Sequence, residues 1–370
     1  MSYLDSAIKL IEKLNKNNFE AYIVGGYVRD FVLKNNPNDI DITTSALPSD
    51  ILKLFDKVIP TGINFEGVTV ILDGYSFEVT TFRKDIAYYD HRHPEVAYAS
   101  SLSEDLSRRD FTINAMCLDK DLNLIDIFDG VNDLNNKIIR AVGDPKLRFY
   151  EDALRILRAF YFSAKLGFDI DDATLRGIED NSKYLECVSG ERIYNELKKL
   201  FNSKYVLKGL SYLNKSTALN YLPSLKKATN LLCEKNKTLS FIEYLALGFY
   251  LEGNSLRYKL SRKELSDINI INSYVDKELD VLDIFNLSDD LLSSINNVKS
   301  VLGKEYDKDI LIKKHNLPIK NIKDLDLTSY DIMNLGYKGK EIKSKQLYAL
   351  RLVLLNKVLN QKDKLIDIIK

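Results

Sequence analysis

Three cysteines in 370 residues, Cys117, Cys187 and Cys233, are too few and too scattered to build a disulfide framework or a CxxC metal site. They are expected as buried, reduced thiols in a reducing compartment. No apolar run approaches the roughly 20 residues that a bilayer-spanning helix needs. The opening MSYLDSAIKLIEKL is amphipathic at helical spacing and contains acids, unlike a signal or transit peptide. A cytoplasmic protein with no membrane partner is expected. Neither sign of charge is in excess: Lys plus Arg and Asp plus Glu both total 53, so any surface for a polyanion must be local. One local excess lies in residues 301–370, where fifteen Lys and Arg, among them Lys313, Lys314, Lys338, Lys340, Lys343 and Arg351, face nine Asp and Glu. It reads either as a solvated helical surface or as a basic patch. Low-complexity tracts and internal repeats are also lacking, so the chain is expected to fold throughout, into two to three domains on length alone.

The first 140 residues alternate strand and helix signals. Phe19 to Val24 is a short β-prone run that ends at Gly25-Gly26, and a helical stretch follows from about Tyr27 to Leu33. Asp39-Ile40-Asp41-Ile42 alternates with period 2, and strand-like runs recur at Gly67 to Leu72 and Ser76 to Arg83. From Pro145 onward apolar residues fall at helical spacing instead, over Phe149 to Leu166, Ile193 to Phe201, Phe241 to Tyr250, Ile284 to Leu302 and Lys343 to Leu359. The expected fold class is α+β: a mixed-sheet N-terminal domain followed by an all-helical remainder.

Two aspartates two residues apart on a strand share a face, so Asp39 and Asp41 point one way while Ile40 and Ile42 point into the core. Two such carboxylates repel each other unless cations sit between them. Hard Mg²⁺ ions suit oxygen ligands, and two-metal phosphoryl-transfer sites use them in this way. Glu78, in the next strand-like run, is the candidate third carboxylate. Upstream, Gly25-Gly26 lets the backbone approach a phosphate, and Arg29 adds charge-assisted hydrogen bonds. Taken singly, DxD is as easily an exposed turn, and GG followed by Arg a tight turn with a surface side chain. Their order carries more weight: strand, GG, helix with Arg, then DxD. Neither a Walker A sequence nor GxGxxG is present.

The stretches AYIVGGYVRD (21–30), NDIDITTSALP (38–48), SFEVTTFRKD (76–85), EDLSRRDFTINAM (104–116), EDALRILRAFYFSAKLGF (151–168) and GERIYNELKKLF (190–201) resemble, in order, the class II tRNA nucleotidyltransferase and bacterial poly(A) polymerase family. That family is part of the polymerase-β-like nucleotidyltransferases. The resemblance implies a catalytic head over 1–140, a helical neck over 141–205, a body over 206–300 and a tail over 301–370 that grips tRNA. It implies addition of C, C and A to the 3′ end of tRNA from CTP and ATP, with two Mg²⁺ ions as cofactor. Asp39 and Asp41 would ligate the metals. Gly25, Gly26 and Arg29 would contact the triphosphate, and Arg109, Asp110 and Asn114 would hold the nucleotide and its ribose. Residues 83–101, with Arg83, Asp85, Asp90 and Arg92, resemble the flexible loop of members that add the terminal A. His91 and His93 lack a third ligand nearby and read as loop side chains. Family members often carry a further arginine three residues after the counterpart of Arg158. Tyr161 stands there instead, so that secondary contact is not implied.

Asp152, Arg155 and Arg158 fall at i, i+3 and i+6 of the expected helix, with Ala153, Ile156 and Phe160 on the other side. Cytosine and adenine present an amino donor beside a ring-nitrogen acceptor, whereas uracil and guanine present a carbonyl beside a ring N–H. A carboxylate that accepts and a guanidinium that donates suit the first pair and mismatch the second. The alternatives are a poly(A) polymerase, a partial enzyme adding only A or only C,C, and a non-catalytic RNA-binding protein of the same fold.

Overall fold

Ala7, Leu10, Ile11 and Leu14 recur at helical spacing. In the computed structural model of the chain, which describes residues 2–35, 37, 39–60, 67–88 and 94–370, they form the buried face of helix α1 (Tyr3–Lys16). Ser2 and Asp5 close a capping box at its start. The chain enters strand β1 (Ala21–Val24), turns into helix α2 (Gly26–Val32) and returns as β2 (Asp41–Thr44). Helix α3 (Pro48–Leu54) leads to β3 (Val58–Pro60), β4 (Gly67–Leu72) and β5 (Tyr75–Thr81). Then come β6 (Arg83–Tyr88), β7 (Pro94–Tyr98), α4 (Leu102–Ser107), β8 (Met116–Leu118), β9 (Leu124–Asp126) and α5 (Gly130–Asn136).

Among the described residues, seven strands form one sheet in the order β3-β4-β5-β2-β1-β8-β9, while β6 and β7 pair only with each other. β2 and β5 run parallel and the other pairings in the sheet are antiparallel, so the sheet is mixed, as expected. One face of its central strands is apolar: Ile23, Ile42, Phe77 and Val79 are fully buried. That fixes the register, because a slip of one residue would turn Asp41 into the core.

The rest, expected as all-helical, is helical apart from a short strand at Asp169–Ile170 that pairs in parallel with Ile138–Ile139: α6 (Pro145–Glu151), α7 (Leu154–Leu166), α8 (Asp172–Asn181), α9 (Gly190–Phe201), α10 (Val206–Lys215) and α11 (Lys226–Lys235). The single helix expected over Phe149 to Leu166 is in fact two. Asp152, with φ −143°, closes α6, and its side chain accepts the N–H of Leu154 at the start of α7. A short polar residue competing for the local backbone breaks the helix there. These elements belong to a unit that runs to Thr238 and includes Ser255–Lys259.

A second unit comprises Leu239–Asn254 and Leu260–Lys370. It holds α12 (Phe241–Glu252), α13 (Arg262–Tyr274), α14 (Val281–Asn286), α15 (Asp289–Leu302), α16 (Ile310–His315), α17 (Ser329–Asn334), α18 (Lys340–Leu354) and α19 (Lys362–Ile369). The run expected over Ile284 to Leu302 is likewise split, because Ser288 caps α15 by accepting from the Leu291 N–H. Leu327, Ile332, Leu350, Leu365 and Ile369 build a core at the C-terminal end of this unit. The division after Thr238 falls inside the segment expected as the body.

All three cysteines are free, but only Cys117 is buried. The expectation for Cys187 is corrected: it ends a 3₁₀ turn, Ser182–Cys187, whose inward positions are Ser182 and Leu185, and so it is exposed. Among the described residues no helix is long and apolar enough to cross a membrane.

Candidate active site

Strand β2 begins at Asp41, so Asp39 and Ile40 lead into it rather than lying within it. The alternation still holds, with Ile40 and Ile42 buried and both aspartates exposed. The register sets Asp41 between Val24 of β1 and Glu78 of β5. Asp41 opens to solvent on one side and is walled by protein on the others. This burial first, and the Glu78 carboxylate second, push its pKa up to about 6, with Arg109 opposing and Asp39 adding.

A cleft of about 830 Å³ opens beside these carboxylates. Eight Lys and Arg and five Asp line it, an excess of positive charge that suits a triphosphate. Three of the acids are paired: Asp30 with Arg29 at 2.8 Å, Asp110 with Arg158 at 2.6 Å and Asp152 with Arg192 at 2.7 Å. Asp39 and Asp41 form no ion pair among the described residues, and they are the two that the sequence singles out as metal ligands. Glu78, paired with Asp41 across the strands, acts on it by charge. Two oxygen-donor carboxylates without counter-ions fit a hard divalent cation, which takes one or two carboxylates and completes its shell with water and phosphate.

Gly25, at φ +76° and ψ −136°, makes the turn from β1 into α2. A Cβ there would lie 3.5 Å from Arg109 Nη1 and 3.7 Å from Asp41 Oδ2, in a backbone conformation that other residues rarely adopt. The glycine thus brings bare backbone, a guanidinium and a carboxylate to one place. A Cβ on Gly26 would lie 3.6 Å from Arg29 Nη2. Arg29 itself is only 2 % exposed and is held by Asp30 through Nε and Nη2, at 3.0 and 2.8 Å. Its Nη1 donates to Asn114 Oδ1 at 2.8 Å, Asn114 Nδ2 donates to Asp110 Oδ1 at 3.1 Å, and Arg158 Nε donates to Asp110 Oδ2 at 2.7 Å. The guanidiniums of Arg29 and Arg158 both lie over Phe162, at 5.4 and 5.3 Å from its ring centre. Burial alone would raise the pKa of Asp110, but Arg158 and Asn114 outweigh it and hold the carboxyl below its usual value. Four of the residues expected to bind nucleotide, Arg29, Asn114, Asp110 and Arg158, therefore form one hydrogen-bonded chain along the cleft.

Several members of the site escape a reading of the sequence. Asp105, fully buried in α4, accepts from Arg108 at 2.7 Å, from Arg109 at 3.3 Å and from the Thr43 hydroxyl at 3.2 Å, and so aims both arginines. Glu151 binds Arg148 at 2.6 Å and Arg155 at 2.8 Å. Arg155 also donates to the backbone carbonyls of Arg148 and Arg108. Asp152 pairs not with Arg155, one turn on, but with Arg192 of α9. The expectation of a continuous helical face over Asp152, Arg155 and Arg158 is corrected by the break, although all three line the cleft. Lys165 and Lys199 line it too. Arg192 and Lys199 lie in the stretch 190–201, whose strong amphipathicity was the available signal. Nothing in the local pattern marks Asp105.

Arg83 opens β6, its N–H donating to Asp105 and its carbonyl accepting from Arg108. The backbone of Asp85 pairs with Val96. Asp90, Arg92, His91 and His93 lie outside the described residues.

Residues 21–140 match the poly A polymerase head domain, and residues 167–229 match the family described as the probable RNA and SrmB-binding site of polymerase A. These matches define a nucleotide-adding polymerase by class. The chain is 36% identical over 380 residues to the CCA-adding enzyme of Limosilactobacillus reuteri, covering 95% of this chain and 92% of that protein. It is 35% identical over 395 residues to that of Staphylococcus haemolyticus, covering 99% and 97%. A crystal structure of the Bacillus stearothermophilus CCA-adding enzyme in complex with CTP superposes with a TM-score of 0.85 at 29% identity, over 100% of this chain and 97% of that one. The chain belongs to the CCA-adding enzyme family of tRNA nucleotidyltransferases, a group of metal-dependent enzymes.

Proposed function

We propose that the chain adds C, C and A to the 3′ end of tRNA, using CTP and ATP and releasing pyrophosphate. The observation that carries this reading at the site is the pair Asp39 and Asp41, the cleft acids that form no ion pair among the described residues, adjoining a cationic wall. Asp39 and Asp41 would hold Mg²⁺, which when bound activates the attacking 3′-hydroxyl and neutralises charge on the triphosphate. Gly25 and Gly26 admit the phosphates close to the backbone, and Arg109, steadied by Asp105, faces them as a charged fork. Asn114 and Asp110, fixed by Arg29 and Arg158, shape the wall against which the nucleotide lies.

Base choice is assigned to Asp152 and Arg155, an acceptor and a donor at the end of the cleft. Of the five guanidinium N–H groups of Arg155, two are left after its contacts to Glu151, Arg148 and Arg108. We assign residues 1–140 to the catalytic head, 141–205 to the neck that reads the base, 206–300 to the body and 301–370 to a tail that binds tRNA. Acting on tRNA, the protein belongs in the cytoplasm. Incorporation from each single nucleotide, then from CTP plus ATP, on tRNA lacking its last three nucleotides tests the reading. Stepwise C, C, A is expected. Unlimited A addition from ATP alone would identify a poly(A) polymerase instead, and no incorporation at all a non-catalytic RNA-binding protein.

A further inference from the structure

Helix α9 turns a second polar face toward the cleft. Arg192, Glu196 and Lys199 stand at i, i+4 and i+7, positions that share one side of a helix. Arg192 and Lys199 line the cleft, and the buried Glu196 accepts from Lys199 Nζ at 3.1 Å through one oxygen. Two atoms of this face, Arg192 Nη1 and Glu196 Oε1, are buried with no hydrogen-bond partner among the described residues. A buried polar atom left without a hydrogen bond is unfavourable for folding. A face selected for stability alone would not keep both.

The other terminal nitrogen of Arg192 grips the base-reading carboxylate: Nη2 donates to Asp152 Oδ2 at 2.7 Å. Oδ1 meanwhile accepts the Leu154 N–H at 3.0 Å. Asp152 sits in the break between α6 and α7, so no continuous helical backbone aims its side chain. Its direction comes from these two contacts. A carboxylate offers roughly four lone-pair sites, and about two stay open after them. We propose that Arg192 is a positioning residue for base choice. It holds Asp152 in the orientation from which the open sites accept the amino group of cytosine or adenine and repel the carbonyl of uracil or guanine. The inference rests on the assignment of Asp152 to base choice given above. The two side chains are 27 and 20 % exposed, and ion pairs open to water contribute little to stability, so the grip serves selection more than folding.

The test measures kcat/KM for CTP and for UTP on tRNA lacking its last three nucleotides, in wild type, Arg192→Gln, Arg192→Lys and Asp152→Ala, with the melting temperature of each. Arg192→Gln should lower the CTP-over-UTP preference about tenfold or more, since a polar site discriminates only while its groups are held in place. Arg192→Lys keeps the charge without the planar fork and should fall between. Both should melt within about 2 °C of wild type, the scale of a pair partly screened by water in a chain of this size. If Arg192→Gln stays within about twofold of the wild-type preference while Asp152→Ala loses it, Arg192 has no part in selection and the assignment of Asp152 stands, because mismatch penalties in such sites far exceed twofold. If Asp152→Ala also keeps the preference, both assignments fall. Should Arg192→Gln fail to fold, Arg192→Lys decides alone: a reduced preference supports the role, and an unchanged one overturns it.

Discussion

At the scale of single residues, the cleft separates acids that hold the wall together from acids kept free for a ligand. Asp39 and Asp41 form no ion pair among the described residues, and their mutual repulsion, with Glu78 beside Asp41 and Arg109 opposing it only in part, suits a divalent cation. Asp41→Ala should therefore abolish addition of both C and A while tRNA binding in a filter assay survives. Near-normal turnover of the purified variant would remove the metal assignment. Asp110 is of the other kind. Its pKa is held below the ordinary value in the folded chain, so its charge stabilises the fold at pH above the unfolded carboxylate range, and that contribution fades as pH falls through the lower folded value. Asp110→Asn leaves Arg158 without its partner and should cost about 2–3 kcal/mol near neutrality, below the range for fully buried pairs because Arg158 is partly exposed. The gap between variant and wild type should narrow as pH drops below about 4, where the unfolded carboxyl takes its proton. Urea melts at pH 7 and pH 3.5 check this. An equal gap at both would mean that the Asp110 charge is not the source.

At the scale of elements, the hairpin of β6 and β7 is not part of the seven-stranded sheet and is tied to α4 by the backbone of Arg83 at Asp105 and Arg108. Deleting Ala87 to Pro94 removes its outer rungs but leaves Arg83 paired with Tyr98 and Lys84 with Ala97. Product lengths on a sequencing gel should then show CC addition spared and A addition blocked, whereas equal loss of all three steps would make the hairpin purely structural. The strands and glycine turn of the head were legible in sequence because period-2 alternation and Gly-Gly are local signals. The helix breaks at Asp152 and Ser288 were not, because apolar periodicity runs on across a capped interruption and only the side chain's bond to the backbone reveals it. The DxD pair and Arg109 were found through the order of motifs. Asp105, Glu151 and Arg192 act through contacts that chain separation hides: Asp105 reaches Thr43 across 62 positions, and Arg192 reaches Asp152 across 40.

Over the whole molecule, formal charge sums to zero, yet tRNA offers a phosphate backbone that only local excesses can meet. The tail carries one, but much of it is engaged internally. Lys313 binds Asp307 at 2.7 Å, Lys314 binds Asp289 at 2.9 Å, and Lys345 donates to the Ile369 carbonyl and lies over the Tyr337 ring. Lys338, Lys340 and Lys343, around the start of α18, are exposed and form no ion pair among the described residues. Lys308, Lys323, Lys357 and Lys364 are likewise exposed without an ion pair among the described residues, but Lys338, Lys340 and Lys343 cluster within six positions and are the group to test against phosphate. Truncation near residue 300 cannot test this, since it cuts α15 and removes the core of Leu327, Ile332, Leu350 and Ile369. Replacing the three lysines together by Gln leaves that core intact. If each neutralises one phosphate, the slope of log affinity against log salt should become shallower by about one unit for every phosphate no longer neutralised, up to about three in all. Preference for CTP over UTP should hold, because base choice is proposed for Asp152 and Arg155 and the residues lining their cleft all lie between Gly25 and Lys199. Titration of tRNA between low and physiological salt measures the slope. A triple variant with the wild-type slope would reduce these three lysines to a solvated surface and move the phosphate contacts to other residues of the chain.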